Sequence, residues 1–387
     1  MKTFLEDLGI GLRGYLVSFI NCFLLIVLME EKFLIEKTGG VKKHYSKYWV
    51  IGFFAFALGF FTIYALLNFT GEIEQELICG DGTPFNSCSL NEPYYCKDNV
   101  LIENIEECGC PKVLRNLGNA CFSSNYVEEK DISLKYIFEK EKKFIDLPIY
   151  EGVINYLNTL PRSLITINGE NYSRRDFKLM KIDNELQREA LMPLVIKIQN
   201  LAPWSKDLQA QIAISLVQNI PYGEPDYVDV FGGRFEVRLS RYPYQTLEEH
   251  FGSCECKSEL LVFLLRELGF EVGLFYYQEE NHEAVGIKCP EKYSLNNTGY
   301  CFVETTLPAP ISYDRGRYQG PKGSAVLGNY TEFLFISEGI SLSDNLNDYS
   351  DANVLGKLVD KVDEKGYLNY FEKKRFDNLR EKYGLIY

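Results

Sequence analysis

The chain has 387 residues, 46% hydrophobic and 25% charged, enough to bury a sizeable core in two or three units. A formal net charge of −13 argues against nucleic acid as a partner, since phosphate recognition needs a basic face. No phosphate-binding glycine loop, internal repeat or low-complexity tract is apparent and no cofactor is expected; with nucleic acid disfavoured by the charge, the expected substrates are peptides or proteins.

Residues 1–70 read as a membrane anchor. The stretch 48–69 is free of charge and long enough to span the hydrocarbon layer as a helix; 14–29 is a shorter second span, with Arg13 able to snorkel at its edge. Lys32, Lys37, Lys42, Lys43 and Lys47 lie between the two, and Glu72, Glu74 and Glu76 follow the second. Lysine-rich short loops stay cytoplasmic, which puts everything after residue 70 outside the cell membrane.

Residues 71–125 hold six cysteines, at 79, 88, 96, 108, 110 and 121, among glycine, proline, asparagine and aspartate. So small a unit lacks a core, and three disulfides in an oxidising compartment would hold it. The pairing stays open. Zinc is the weaker reading, because Cys108-Gly109-Cys110 has one intervening residue and no histidine lies nearby. Sequons at Asn68, Asn171, Asn296 and Asn329 are compatible with an exterior location.

Residues 126–210 form a helical lead-in on this reading, with helical periodicity over 142–161 and 184–199 and a turn at 168–173.

The core spans 211–345. Ser253 suits an N-cap, Leu260, Leu261, Phe263, Leu264, Leu265 and Leu268 recur three and four apart, and Gly269 suits a helix end. Cys254 then occupies the first turn, where free amide N–H groups and the helix dipole favour a thiolate. Val272 to Tyr277, His282 to Cys289 and Tyr300 to Thr306 alternate as three strands. Pairing His282 opposite Glu304 lets the carboxylate hold one ring nitrogen while the other faces Cys254. The plain alternatives are a structural cysteine and a structural strand histidine; His250 is the rival base. Cys289 and Cys301 flank the hairpin loop, yet direct pairing of His282 with Glu304 sets Cys289 opposite residue 297, so a disulfide there requires an irregular loop end. Residues 346–387 read as a tail of two amphipathic helices broken at Gly366.

The stretches RYPYQTLEEHFGSCECKSELLVFLLRELGF (241–270), NHEAVGI (281–287) and YCFVETT (300–306) resemble the core of the transglutaminase-like superfamily, especially its archaeal and bacterial members. IAISLVQNIPYGEPD (212–226) is similar to the segment that precedes that core in these relatives. The resemblance implies an α+β fold with a papain-like core, a central helix packed on an antiparallel sheet; with the hydropathy and cysteine readings above, two transmembrane helices and a disulfide-rich module precede it. It implies catalytic roles for Cys254, His282 and Glu304: a Cys-His-acid triad acting on amide bonds through a thioester. As a free amide at a helix start, the Cys254 N–H is the expected oxyanion donor, with upstream Gln245 or Tyr222 as the second. Glutamate stands where aspartate is commoner, and Cys256 where relatives usually carry an acid. Hydrolysis is favoured over amine transfer. The alternatives from other classes are a catalytically silent envelope-binding module and a Cys254-x-Cys256 thiol–disulfide exchange centre.

Overall fold

A computed structural model describes residues 78–118, 120–163, 173–230, 232–314, 317–320 and 323–385. The chain divides into two compact units, Met1–Gln75 and Glu76–Tyr387, and the described residues belong to the second. The described residues are α+β. The expected architecture, with two membrane helices ahead of the core, is corrected: among the described residues no helix is long and apolar enough to cross a membrane. The stretches 14–29 and 48–69 that carried that expectation lie outside the described residues.

The unit begins with β1 (Tyr94–Lys97) and β2 (Val100–Glu103), the short α1 (Ile105–Cys108), and the two-residue strands β3 (Arg115–Asn116) and β4 (Cys121–Phe122). Disulfides Cys79–Cys96, Cys88–Cys108 and Cys110–Cys121 staple this region. Its buried Cys79, Cys96 and Leu101 belong to the same apolar cluster as the rest of the unit.

Next come β5 (Glu129–Phe138) and β6 (Glu141–Tyr150), a ten-by-ten hairpin. This corrects the helical reading of 142–161: Ile145, Leu147 and Ile149 recur every second residue and bury one face against Ile132, Leu134 and Tyr136. Helix begins only at α2 (Glu151–Asn158), followed by α3 (Arg174–Ile182), α4 (Glu185–Leu201) and α5 (Lys206–Gln218). The expected turn at 168–173 falls almost wholly outside the described residues.

The hairpin β7 (Asp226–Val230) and β8 (Phe235–Leu239) leads to α6 (Pro243–Glu248) and the central helix α7 (Cys254–Glu267). Gly269, at φ 94°, lets the chain turn back after α7. Then come β9 (Val272–Tyr277), β10 (His282–Lys288), β11 (Tyr300–Val303), the ribbon β12 (Arg317–Gly320) and β13 (Gly323–Val326), and β14 (Glu332–Ser337). Four of these strands form one antiparallel sheet in the order β11-β10-β9-β14. Helix α7 packs on β9 and β10, with α5 and α6 also against it, and its apolar residues from Leu260 to Leu265 are fully buried. The tail is α8 (Asn347–Lys365), ended by left-handed Gly366, and α9 (Tyr370–Tyr383); both bury leucines in a second cluster with Ala309 and Tyr313.

The β10–β11 register differs from the sequence expectation by two residues. Val285 pairs with Val303 and Ile287 with Cys301, so Glu304 follows on across from Ala284 rather than His282. The same slip brings Cys289 and Cys301 to a Cα separation of 5.7 Å, and they form a disulfide. Replacing both Cys289 and Cys301 by serine removes a crosslink across 12 residues and is expected to lower stability by about 3 kcal/mol, read from urea midpoints at constant m-value.

Candidate active site

Three backbone features place Cys254. The segment Pro221–Gly223 runs beside Gly252: Gly223 N–H donates to Gly252 O at 3.1 Å and Gly252 N–H to Pro221 O at 3.2 Å. A Cβ on Gly252 would stand 2.9 Å from Thr246 Cγ2 and 3.2 Å from Lys257 Cγ, so this close approach selects glycine two residues before the cysteine. Ser253 is the N-cap, but its side chain caps no amide; its hydroxyl donates to Cys256 Sγ at 3.4 Å and accepts from Arg238 Nη2 at 2.9 Å. The first-turn N–H groups of α7 thus lack a side-chain cap.

His282 opens β10, directly across from Tyr277 of β9. Its Nε2 lies 3.0 Å from Glu304 Oε2. The other carboxylate oxygen of Glu304 accepts from Thr305 N–H at 3.0 Å, Thr306 N–H at 2.7 Å and Thr306 Oγ1 at 2.6 Å. Burial would push this carboxyl up, but His282 and the Thr306 donors outweigh it and hold it below the usual carboxylate range. Ser258, one turn along α7 from Cys254, donates to Glu283 O at 3.1 Å and lies 3.1 Å from Thr305 Oγ1. One helical turn therefore contacts both chain segments that carry His282 and Glu304.

Nδ1 of His282 is buried and has no conventional hydrogen-bond partner. Burial pushes the imidazole pKa down, but the Glu304 charge and the interaction with the Cys254 thiol raise it to about 10. Cys254 Sγ also lies 3.9 Å from Asn281 O, at the start of the same strand. Cys254, His282 and Glu304 therefore converge, with the ring between sulfur and carboxylate. Cys254 and His282 both line a cavity of about 420 Å3, within the range of small-ligand sites. Tyr318, whose ring centroid is 4.3 Å from that of His282, forms part of its wall together with Tyr222 and Arg238.

The remaining candidates separate cleanly. His250 is exposed in the turn after α6 and does not line the cavity. Gln245 is committed elsewhere: its Oε1 accepts from Tyr242 N–H at 2.9 Å and its Nε2 donates to Asn158 Oδ1 at 2.8 Å. Tyr222 reaches the cavity. Cys254 and Cys256 are both free thiols; Cys254 is 7% exposed and Cys256 fully buried, so Cys254 is the one open to a substrate.

Two charged features escaped the sequence reading. Lys257, buried three residues after Cys254, donates to Ile220 O at 2.5 Å, and burial pushes its ammonium down to about 7 against the opposing pull of Glu304 and Cys254. A charged residue on an otherwise apolar helix face was the available signal. The second is a cluster around Lys178, whose members are too far apart in sequence to be grouped before folding. Among the described residues no group of histidine, cysteine and carboxylate side chains is arranged to hold a metal. No protein-family model and no curated protein matches the chain.

Folding raises the His282 pKa above 6.5, so its stabilising share is complete below about 6.5 and fades as pH rises through about 10. Glu304 moves the other way, from 4.5 downwards, so its share is complete above about 4.5 and fades in acid. In Glu304→Gln, which keeps an acceptor for Thr305 and Thr306, the stability deficit relative to wild type is expected to be largest between about pH 5 and 6.5 and to shrink towards pH 10. Urea unfolding across that range reads it; a deficit independent of pH would show that the pair carries no charge.

Proposed function

We propose that this chain is a thiol enzyme of the transglutaminase-like kind, acting on amide bonds of peptides or proteins. The observation that carries the reading is the buried contact of His282 Nε2 with Glu304, which leaves the opposite ring nitrogen for a cysteine at an uncapped helix start. An imidazole with its pKa raised to about 10 holds its proton at neutral pH, the form that pairs with a thiolate.

In the acylation step the Cys254 sulfur attacks the amide carbonyl carbon and the C–N bond breaks. His282 gives its proton to the departing amine, leaving a thioester and a neutral imidazole. Water then attacks the thioester and passes a proton to the imidazole; the C–S bond breaks, releasing a carboxylic acid and restoring the starting pair. The N–H of Cys254, one of the uncapped amides at the start of α7, would donate to the oxyanion, and Tyr222, which lines the same cavity, would assist. A primary amine replacing water would give a new amide through the same acyl-enzyme. Hydrolysis is preferred because the cavity is not enclosed, so water can enter it and reach a thioester on Cys254.

The four disulfides support work in an oxidising compartment, on the exterior side of the cell boundary. Among the described residues the cavity wall includes Glu224, Glu279 and Glu280, with Arg238 and the protonated His282 as its cations, so peptide segments without dense negative charge fit it best.

Incubation with a mixed peptide pool, with and without methylamine, followed by acid quench and mass spectrometry, tests the reading. A Cys254 acyl adduct and new peptide ends are expected, with turnover lost in Cys254→Ser and reduced by about 100-fold or more in His282→Ala. No adduct and no turnover, with Cys254 alkylated no faster in wild type than in His282→Ala, would overturn it.

A further inference from the structure

Behind the cavity lies a buried set of charges that the acyl-transfer steps do not use. Lys178 of α3 places Nζ 2.8 Å from Glu255, 2.7 Å from Glu259 and 3.1 Å from Glu283. Lys181 is 2.5 Å from Glu259 and 3.9 Å from Glu255, and donates to Ser240 Oγ. Arg238 reaches Glu255 at 3.2 Å. Three cations thus face three carboxylates, and Lys178 touches all three acids.

The sequence positions of those acids matter more than their number. Glu255 directly follows Cys254, and Glu283 directly follows His282. Residues adjacent on a strand point to opposite faces, so a fixed Glu283 side chain fixes the peptide that aims His282 the other way. Glu255 does the same for the first turn of α7, with Glu259 one turn further along it. A buried ion network adds little net stability, because desolvation offsets the Coulomb gain, but it narrows geometry. Thiol catalysis needs that narrowing: a displacement of about 1 Å between reacting groups costs on the order of 100-fold in rate.

We propose that Lys178 is a positioning residue: its single ammonium clamps the helix turn that carries Cys254 to the strand start that carries His282. The proposal rests on the thiol–imidazole reading above and adds to it a residue that touches neither substrate nor the reacting atoms. Lys178 acts from α3, a helix outside the sheet and outside α7, and Arg175 of that helix donates to Phe335 O of β14 at 2.8 Å, which ties the clamp to the far edge of the same sheet.

The probe is iodoacetamide, with alkylation of Cys254 in the full chain followed by peptide mass mapping. In Lys178→Met, which keeps the stem and loses the charge, the second-order rate constant near neutral pH is expected to fall by about tenfold or more. Lys178→Arg retains a multidentate cation and is expected to recover to within about threefold of wild type, a rescue that a packing role alone would not produce. Lys206→Met serves as a control for loss of a partly buried lysine, since Lys206 donates to Leu268 O at the far end of α7; it is expected to leave the rate unchanged. If Lys178→Met does not fold, Glu283→Ala decides, because it frees the strand from the clamp and leaves Lys178 paired with two acids; a drop of about threefold or more is expected. Wild-type rates in folded Lys178→Met or in Glu283→Ala overturn the clamp. His282→Ala separates the two failures: if it slows alkylation while the clamp variants do not, only the clamp falls, and if it too is silent, the thiol–imidazole reading falls.

Discussion

The site depends on one buried contact, His282 Nε2 to Glu304 Oε2 at 3.0 Å, made diagonally across two strands. With Val285 opposite Val303, His282 and Glu304 lie on the same face but two residues out of register. Diagonal neighbours sit about 7–8 Å apart, a gap that suits a long side chain. Aspartate would fall one methylene short. The register therefore needs the longer arm that glutamate supplies. Thr305 and Thr306 hold the second carboxylate oxygen, so the acid is buried, ionised and fixed in direction. The ring it orients has a single free nitrogen, and the thiol lies beside it.

What the sequence disclosed followed from how far each signal reaches. Helix α7 and strands β9 and β10 were legible because apolar spacing and end residues agree: Ser253 at the start, Gly269 at the stop, and alternation from Val272 onwards. The β10–β11 register was not. Its loop contains two short 3-10 turns, Glu291–Tyr293 and Leu295–Asn297, so loop length sets no pairing. The conflict between a direct His282–Glu304 pair and a Cys289–Cys301 bridge was itself the clue, and it resolves by moving the strands two residues. The hairpin at 129–150 was misread because Phe144, Ile145, Leu147 and Ile149 suit either period. Its turn is also unusual: Glu139 and Lys140 both adopt positive φ, at 51° and 69°, where asparagine and glycine would have announced it.

The charges beneath the site belong to another class, invisible until the fold exists. Lys178 and Glu283 are 105 residues apart in the chain, and no periodicity links them. Burial disfavours the charged form of both Glu255 and Glu283, yet the outcomes diverge. Glu255, facing Lys178, Lys181 and Arg238, is held well below the usual carboxylate range. Glu283 has Lys178 as its cation and Glu255 and Glu259 as neighbours, and burial with that repulsion pushes it up to about 7. The cluster thus carries its firmest charge pair next to Cys254 and a more easily protonated acid next to His282.

Among the described residues two free thiols stand beside four disulfides, and this needs a physical reason. Helical geometry supplies it. Residues two apart on a helix do not face each other, so the side chains of Cys254 and Cys256 diverge. Cys256 turns into the protein, where the Ser253 hydroxyl donates to its sulfur and no solvent reaches it. Cys254 turns to the cavity. A bond between them would need the first turn of α7 to unwind, pulling Gly252 off the Pro221–Gly223 segment and Glu255 out of a buried ion network. The packing that holds Cys254 in place therefore also keeps it reduced beside its nearest thiol.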